Sequence, residues 1–408
     1  MYQPPTGGRD LLPLDVVQKR WIEDRLEQIF HRWGYHRIIT STVETMDTLM
    51  AGGAIKRVEV VELQIGQVGE QRLGLRPELT ASIARAAASR LTTVTYPQRL
   101  YYNANVFRRS AQGSRGGQQE YHQVGIELLG ADGLMADAEA VLLASACLSV
   151  LNLSDTHLVL GEAALTQSLL AAFPEAIRHT VRHHIAHLNR VALEAMALPA
   201  EQQVLALRLM DLRGEPKAVL AKLSEFDLDE AQQAIAFRLK SLVVLLEQER
   251  EQGIAVPLVI LDLSLIRPFD YYTGIVFEII SRSRQILGQG GRYDDLLALY
   301  DASGSHGFPG VGFVLNTERL HQELLPSGHL PSDIPPSDWL IVPKSEAAAA
   351  AAMAYAQKVR QSEQTVRVEM GLDLAQSAEA IRAIAQKRNI ARIAWISDQG
   401  LPEIEIVS

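Results

Sequence analysis

The chain has 408 residues, 47% hydrophobic and 21% charged, the make-up of a soluble globular protein with room for two or three domains. A single cysteine, Cys147, excludes an internal disulfide and a cysteine metal cluster. The formal net charge of −9 argues against broad nonspecific affinity for nucleic acid, which comes from neutralising phosphates. No apolar run is long enough for a bilayer, and the start MYQPPTGGRDLLP lacks the charged-then-apolar layout of an export signal, so the expectation is a cytoplasmic protein with no membrane partner.

In chain order, LDVVQKRWIEDRLEQIFHRW (14–33) spaces apolar residues at three and four, which predicts an amphipathic helix ended by Gly34. YHRIITSTV (35–43) reads as a strand. A hairpin follows, VEVVELQI and QRLGL about a Gly-Gln-Val-Gly turn, and runs into Arg76-Pro77-Glu78. LTASIARAAASRL then reads as a helix. Proline and glutamate are ordinary residues at a helix start, so Glu78 alone reads equally well as a partner of the helix dipole.

Two strong strands, RLYYNANVF and EYHQVGIELLG, flank the polar loop RRSAQGSRGGQQ. In the second, the two-residue period puts Tyr121, Gln123, Gly125 and Glu127 on one face and His122, Val124, Ile126 and Leu128 on the other. The His122 set reads as core. The Gln123 set reads as a ligand face, with a glycine gap leaving room for something small. Residues 134–151 form an alanine-rich helix around Cys147, whose thiol reads as buried and inert.

From about 162 to 252 the composition is helical, and His179, His183 and His187 fall at i, i+4 and i+8 with His184 beside them. Metal sites usually add a carboxylate or cysteine, and Arg178, Arg182 and Arg190 crowd this helix. A solvated or partner-facing polar face is expected there, with no metal.

The stretch PFDYYTGIVFE (268–278) sets Asp270 and the adjacent Tyr271 and Tyr272 before an apolar strand, with Arg267 just upstream. The two rings can simply pack, or they can wall a small polar pocket with Asp270 and Arg267 as directional contacts. Next, Gly288–Gly291 allows close backbone approach before Arg292, Tyr293 and Asp294, without the Lys-Ser/Thr of a phosphate loop. FPGVGFVLNTERL reads as a strand running into a helix. A Pro/Ser-rich linker (325–337) separates a core of residues 1–324 from a small α/β domain at 338–408. From Asp333 onward 8 Lys+Arg face 10 Asp+Glu, which is no footprint for RNA.

In this order the motifs resemble the histidyl-tRNA synthetase group of class II aminoacyl-tRNA synthetases over nearly the whole length. They are PPTGGRDLLP, LRPELT at 75–80, the VFR…YHQVGIE strand pair, IRPFDYYTGIVFE, GGRYDDLL and VGFVLNTERL. The resemblance implies an α+β fold: an antiparallel sheet flanked by helices, a helical insertion, and a small C-terminal α/β domain. In that family the histidine pocket uses the acid of LRPE, the Gln and Glu of HQxGxE, the arginine before DYY, and both tyrosines. The matching positions here are Glu78, Gln123, Glu127, Arg267, Tyr271 and Tyr272, with Thr80 for the threonine of LRPEGT and Leu79 where that pattern has glycine. Carboxylate and amide oxygens suit an α-ammonium, a carboxylate and a tyrosine hydroxyl suit imidazole, and arginine suits a carboxylate.

The nucleotide side departs from the family. Arg108 matches the arginine of FRxE, but Ser110 stands at its glutamate, and Arg115 is the one cation in the recast loop that follows. Asn316 replaces the glycine before Glu318-Arg319, and Ser41 replaces the proline of the first class II motif. Adenylation needs charge stabilisation and alignment at the α-phosphate, so a kept amino-acid half and a degenerate nucleotide half point away from activation.

That combination resembles the synthetase-like regulatory subunits of ATP phosphoribosyltransferase, to which LRPELTxxIAR (75–85) and DYYTGIVFE are the closer match. This resemblance implies a chain without catalytic residues. It would form homodimers within a hetero-octamer that includes a short-form catalytic subunit. It would be needed for that subunit's activity and for feedback inhibition by L-histidine in the first step of histidine biosynthesis. No cofactor in this chain and no tRNA partner are implied, with Mg²⁺ confined to the catalytic subunit. The alternative is an active histidyl-tRNA synthetase, for which Arg108, Arg267 and Arg319 all remain.

Overall fold

The structure, a computed structural model, describes residues 3–5, 7–53, 55–64, 71–91, 93–109, 117–265, 271–301, 308–362 and 365–407. The chain divides into two compact units, Met1–Pro331 and Ser332–Ser408.

The first unit opens with α1 (Pro13–Arg32). Pro13 at the first helical position fits the missing N–H there, and Asp15 accepts from the Leu12 amide at 2.9 Å. Gly34, at φ +79°, stops the helix where a side chain would be strained. The stripe Ile22, Leu26, Ile29 and Phe30 is buried, each side chain contributing about 1.5–3 kcal/mol on leaving water.

There follow β1 (His36–Arg37), β2 (Val43–Thr45), α2 (Met46–Met50), β3 (Val61–Leu63), β4 (Leu73–Leu75) and α3 (Thr80–Arg90). Then come β5 (Gln98–Phe107), β6 (Glu120–Leu129), α4 (Leu134–Val150) and β7 (Thr156–Glu162). A helical segment holds α5 (Ala163–Leu170), α6 (Glu175–Ala186), α7 (Arg190–Glu194), α8 (Ala200–Met210), β8 (Arg213–Gly214), α9 (Pro216–Leu223) and α10 (Glu230–Glu251). The unit closes with β9 (Leu258–Asp262), β10 (Ile275–Ser281), β11 (Ile286–Arg292), β12 (Gly310–Asn316) and α11 (Thr317–Leu324).

Among the described residues these strands make a nine-stranded sheet ordered β1-β5-β6-β12-β11-β10-β7-β9-β8. It is antiparallel from β5 to β7, with parallel pairs β1/β5 and β7/β9. On one face α1 and α4 pack on Val124, Ile126, Phe313 and Leu315. On the other, Ile83, Ala84 and Ala87 of α3 pack with Leu100, Tyr102, Tyr293 and Leu297. That second face carries the site.

The expected continuous strand over 35–43 is not formed. Only His36–Arg37 pairs with β5, and the chain then leaves for a separate sheet, β2-β4-β3. The buried Arg76 explains the break: its Nη1 donates to the Thr40 and Ser41 carbonyls at 2.9 and 3.2 Å, so a side chain takes the acceptors a strand ladder would use.

The second unit contains β13 (Trp339–Pro343), α12 (Ala349–Arg360), β14 (Val368–Met370), α13 (Ala378–Lys387), β15 (Arg392–Ile396) and β16 (Pro402–Ile406). Its sheet runs β14-β13-β15-β16, with β13 parallel to both neighbours and β16 antiparallel. Ala352 and Ala356 of α12 cover Ile341 and Ile396, while Ile381 and Ala385 of α13 cover Leu340, Val342 and Trp395 on the opposite side.

Candidate functional site

A small cavity of about 40 Å³ opens on the α3 face of the large sheet. It gathers Glu78, Thr80, Gln123, Glu127, Tyr271 and Tyr272 with Arg108, residues spread over some 190 positions of sequence. The sheet does the gathering. β6 delivers Gln123 and Glu127 from alternate positions, the turn before α3 delivers Glu78 and Thr80, and the turn before β10 delivers both tyrosines.

Glu127 is 2% exposed and doubly bonded: Thr80 Oγ1 donates to its Oε1 at 2.8 Å, and the Tyr293 hydroxyl donates to its Oε2. Burial pushes its carboxyl up to about 8; the hydrogen bonds from Tyr293 and Thr80 oppose the rise, and the neighbouring charge of Glu78 adds to it. Gly312 makes this position possible, because a Cβ there would lie 2.0 Å from Glu127 Oε2.

Glu78 is a helix cap and a cavity wall at once. Its two oxygens accept from the Thr80 amide at 2.5 Å and the Ala81 amide at 2.9 Å, which supports the dipole reading, while the carboxylate still faces the cavity. Burial holds its pKa above the usual range, against the helix amides and Arg108. Tyr271 and Tyr272 pack with ring centroids 4.7 Å apart and planes tilted by 48°, and Tyr293 stands edge-on to Tyr271 at 6.0 Å. Burial raises the phenol pKa of Tyr102, Tyr271 and Tyr293 well above 10, so all three stay neutral donors. Two carboxylates walled by phenols, with Arg108 as the one cation among the described lining residues, favour a small ligand with a cationic end.

Arg267 and Asp270 lie outside the described residues, as do Ser110 and Arg115. Arg108 Nε donates to the Pro77 carbonyl at 2.9 Å. Asn316 does not line the cavity: it caps α11, accepting from the Arg319 amide at 2.9 Å, while the exposed Arg319 donates to the Ile286 carbonyl at 2.7 Å. Its neighbour Glu318 accepts from the His122 amide and from Arg9.

Three expectations for β6 change. Its glycine gap is filled by the protein itself, since a Cβ at Gly125 would sit 2.6 Å from the hydroxyl of Tyr102, its cross-strand partner. His122 is not a core residue. It points toward α1 into a polar network, with Nε2 2.7 Å from Glu23 Oε1 and Nδ1 2.5 Å from Asn105 Oδ1. Tyr121, on the ligand face, donates its hydroxyl to the Gln118 carbonyl rather than lining the cavity.

Sequence reasoning missed Tyr102, Gln289 and Tyr293 as cavity residues. For Tyr102 the signal was there, a tyrosine directly across a strand pair from a glycine. Arg292, singled out with Tyr293, is fully buried and structural: it pairs with Asp137 at 2.7 Å and Asp294 at 2.9 Å, tying the end of β11 to α4. At the end of α6 the exposed His183 and its C-cap His187 have rings 4.2 Å apart. Among the described residues no group of three or more His, Cys, Asp or Glu is placed to hold a metal, and no helix is long and apolar enough to cross a membrane.

Comparison with known proteins bears on this geometry. Residues 7–320 match the family model described as Histidyl-tRNA synthetase. A protein of Nostoc sp. (strain PCC 7120), named ATP phosphoribosyltransferase regulatory subunit, is 55% identical over 411 aligned residues that cover 100% of each chain. A solved ATP phosphoribosyltransferase regulatory subunit/histidyl-tRNA synthetase from Bacillus halodurans has a TM-score of 0.79 at 26% identity, covering 97% of this chain and 98% of its own. The histidyl-tRNA synthetase of Nostoc sp. PCC 7120 shares the fold, with a TM-score of 0.76 at 20% identity, covering 100% of this chain and 97% of its own. With a family model spanning most of its length and a full-length relative at this identity, the chain belongs to the histidyl-tRNA synthetase family, among its ATP phosphoribosyltransferase regulatory subunits.

Proposed function

We propose that this chain is a non-catalytic regulatory subunit that binds L-histidine in the Glu127 cavity and passes its occupancy to a short-form ATP phosphoribosyltransferase catalytic subunit. The observation that carries the reading is the pair of carboxylates, half-buried Glu78 and buried Glu127, that line one small cavity together with the tyrosines. In this reading Gln123, Glu78 and Thr80 receive the α-ammonium, Glu127 and Tyr272 hydrogen-bond the imidazole with Tyr271 as a wall, and Arg267 pairs with the α-carboxylate. Two findings weigh against adenylation: Asn316 is committed to a helix cap, and a regulatory subunit from Nostoc is far more similar in sequence than the synthetase of the same strain.

The chain supports catalysis by its partner and, with histidine bound, holds the complex in a less active state. Histidine must therefore bind the two states unequally, with a coupling of about 1–3 kcal/mol as is common for effectors. A homodimer within a hetero-octamer, cytoplasmic, with no cofactor of its own and no tRNA, completes the proposal.

The test mixes this protein with the short catalytic subunit of the same organism and measures phosphoribosyl-ATP formation with and without histidine. Activation by the mixture and its loss with histidine are expected. Histidine-dependent ATP–pyrophosphate exchange well above background would overturn the reading in favour of an active synthetase, a possibility to which Arg108 at the cavity wall lends some weight.

A further inference from the structure

We propose that Gln289 reads the far end of the ligand: its side-chain amide donates to a free α-carboxylate. The cavity thereby tells an amino acid from the same molecule with that carboxyl reduced or esterified. This role rests on histidine binding as proposed above and adds to it the residue that sets the specificity.

Strand register places Gln289. Gly291 of β11, Gly312 of β12 and Glu127 of β6 stand in one row across the sheet, and Gln289, Val314 and Gly125 stand in the row two residues along. In the first row the glycines leave room that the Tyr272 ring and the Glu127 carboxylate fill. In the second row the Tyr102 phenol covers Gly125, while Gln289 and Val314 rise beside it as cavity wall. Gln289 therefore lies two strands and two residues from Glu127, about 12 Å between Cα atoms at ordinary strand spacing and rise. Two long side chains leaning inward close much of that span, and a ligand the length of one amino acid bridges the rest.

The remaining donors of the wall choose the partner. Glu78 and Glu127, when ionised, only accept hydrogen bonds. The hydroxyls of Thr80 and Tyr293 are already donated to Glu127, and Arg108 Nε is donated to the Pro77 carbonyl. Gln289 is half-buried, lines the cavity, and has no hydrogen-bond partner for its side chain among the described residues. An amide with both N–H groups free in a partly dry wall calls for an acceptor. On a zwitterion whose cationic groups are met by carboxylates, that acceptor is the ligand's own carboxylate. Gln289 shares it with Arg267, the residue assigned to it above, and a neutral amide does so without first forming an ion pair with Glu78 or Glu127.

The experiment uses the full chain and titration calorimetry with L-histidine, its amino alcohol L-histidinol, and L-histidine methyl ester. The parent should bind histidine at least about tenfold more tightly than either carboxyl-blocked probe. Gln289→Leu, which keeps much of the side-chain volume, should weaken histidine binding roughly tenfold and leave the other two within about twofold of the parent. Gln289→Glu sets a negative charge against the carboxylate, so histidine binding should fall further while the cationic alcohol binds as well or better, and the preference inverts. Equal loss for all three probes in Gln289→Leu would make Gln289 mere packing and overturn the inference. Unchanged discrimination in both variants overturns it too, and its loss in Arg108→Gln alone would give the carboxylate to Arg108. A parent that binds all three probes alike overturns the inference and leaves the histidine site standing. A parent that binds none of them overturns the histidine site itself, and the role of Gln289 with it.

Discussion

On the side of β6 that faces the cavity, Glu127 sits with Glu78 among phenols and holds its carboxyl at about 8; on the side that faces α1, Glu23 is almost as buried but has Lys19 and His122 against it. Burial alone would raise Glu23 as well, yet the hydrogen bonds from His122 and Lys19 bring it below the usual range. One strand thus separates an acid whose charge is left unanswered from one whose charge is answered within the fold. An uncompensated buried carboxylate costs stability, and a fold retains that cost where a ligand will offset it. A compensated one belongs to the scaffold.

The sharpest way to break this contrast is Glu127→Ala. Losing a charged hydrogen-bond acceptor should cost about 1.5–3 kcal/mol of histidine binding, roughly 10- to 150-fold in Kd by titration calorimetry. The ability to activate the catalytic subunit should survive. Equal loss of both would mean that the cavity is a structural support rather than a sensor.

The second prediction concerns pH. Glu127 titrates higher in the folded chain than in the unfolded one, so between about 4.5 and 8 the folded state holds a proton that the unfolded state has released. The ligand-free protein should therefore lose stability as pH rises through that window, by a few kcal/mol at most. A cation entering the cavity ionises the carboxyl, so binding near pH 7 should release a proton, detectable as a heat that changes with the buffer. Glu127→Gln should flatten both effects. A parent protein with no proton release would place the bound charge elsewhere.

Glu23→Gln turns the comparison round. The folded pKa of Glu23 lies below the unfolded value, so its contribution is present above about 4.5 and disappears as pH falls through the folded pKa. Substitution leaves Lys19 and His122 facing a neutral amide and should cost about 1–2 kcal/mol of stability at pH 7 in a denaturant titration. Histidine affinity should stay within about twofold of the parent. A large loss of affinity would join the α1 network to the site and dissolve the distinction.

How much of this was legible beforehand depends on which contacts were local. The helix ended by Gly34, the order of elements in the second unit, and the alternation of Gln123 and Glu127 all follow from short-range periodicity, and the structure has them. The failures come from long-range polar contacts. The reach of Arg76 to Thr40 and Ser41 breaks a segment with strand-like residues, and Glu23 supplies His122 with a partner 99 residues away. Tyr293 was noticed only as a follower of glycines, because nothing local says that it ends on Glu127. Family motifs located Glu78 and Glu127, but not the division of Glu78 between capping α3 and walling the cavity.

The smallest expected effect tests the wall rather than its charge. Tyr272→Phe keeps the ring that packs against Tyr271 and removes only a hydroxyl. Loss of that one hydrogen bond should weaken histidine binding by about 0.5–1.5 kcal/mol, roughly 2- to 12-fold, read as a higher histidine concentration for half-inhibition. The activated rate without histidine should not move, because the ring still fills its place against Gly291, where a Cβ would come within 2.6 Å of it. If half-inhibition is unchanged, Tyr272 serves only as packing, and recognition of the ligand rests on the two carboxylates.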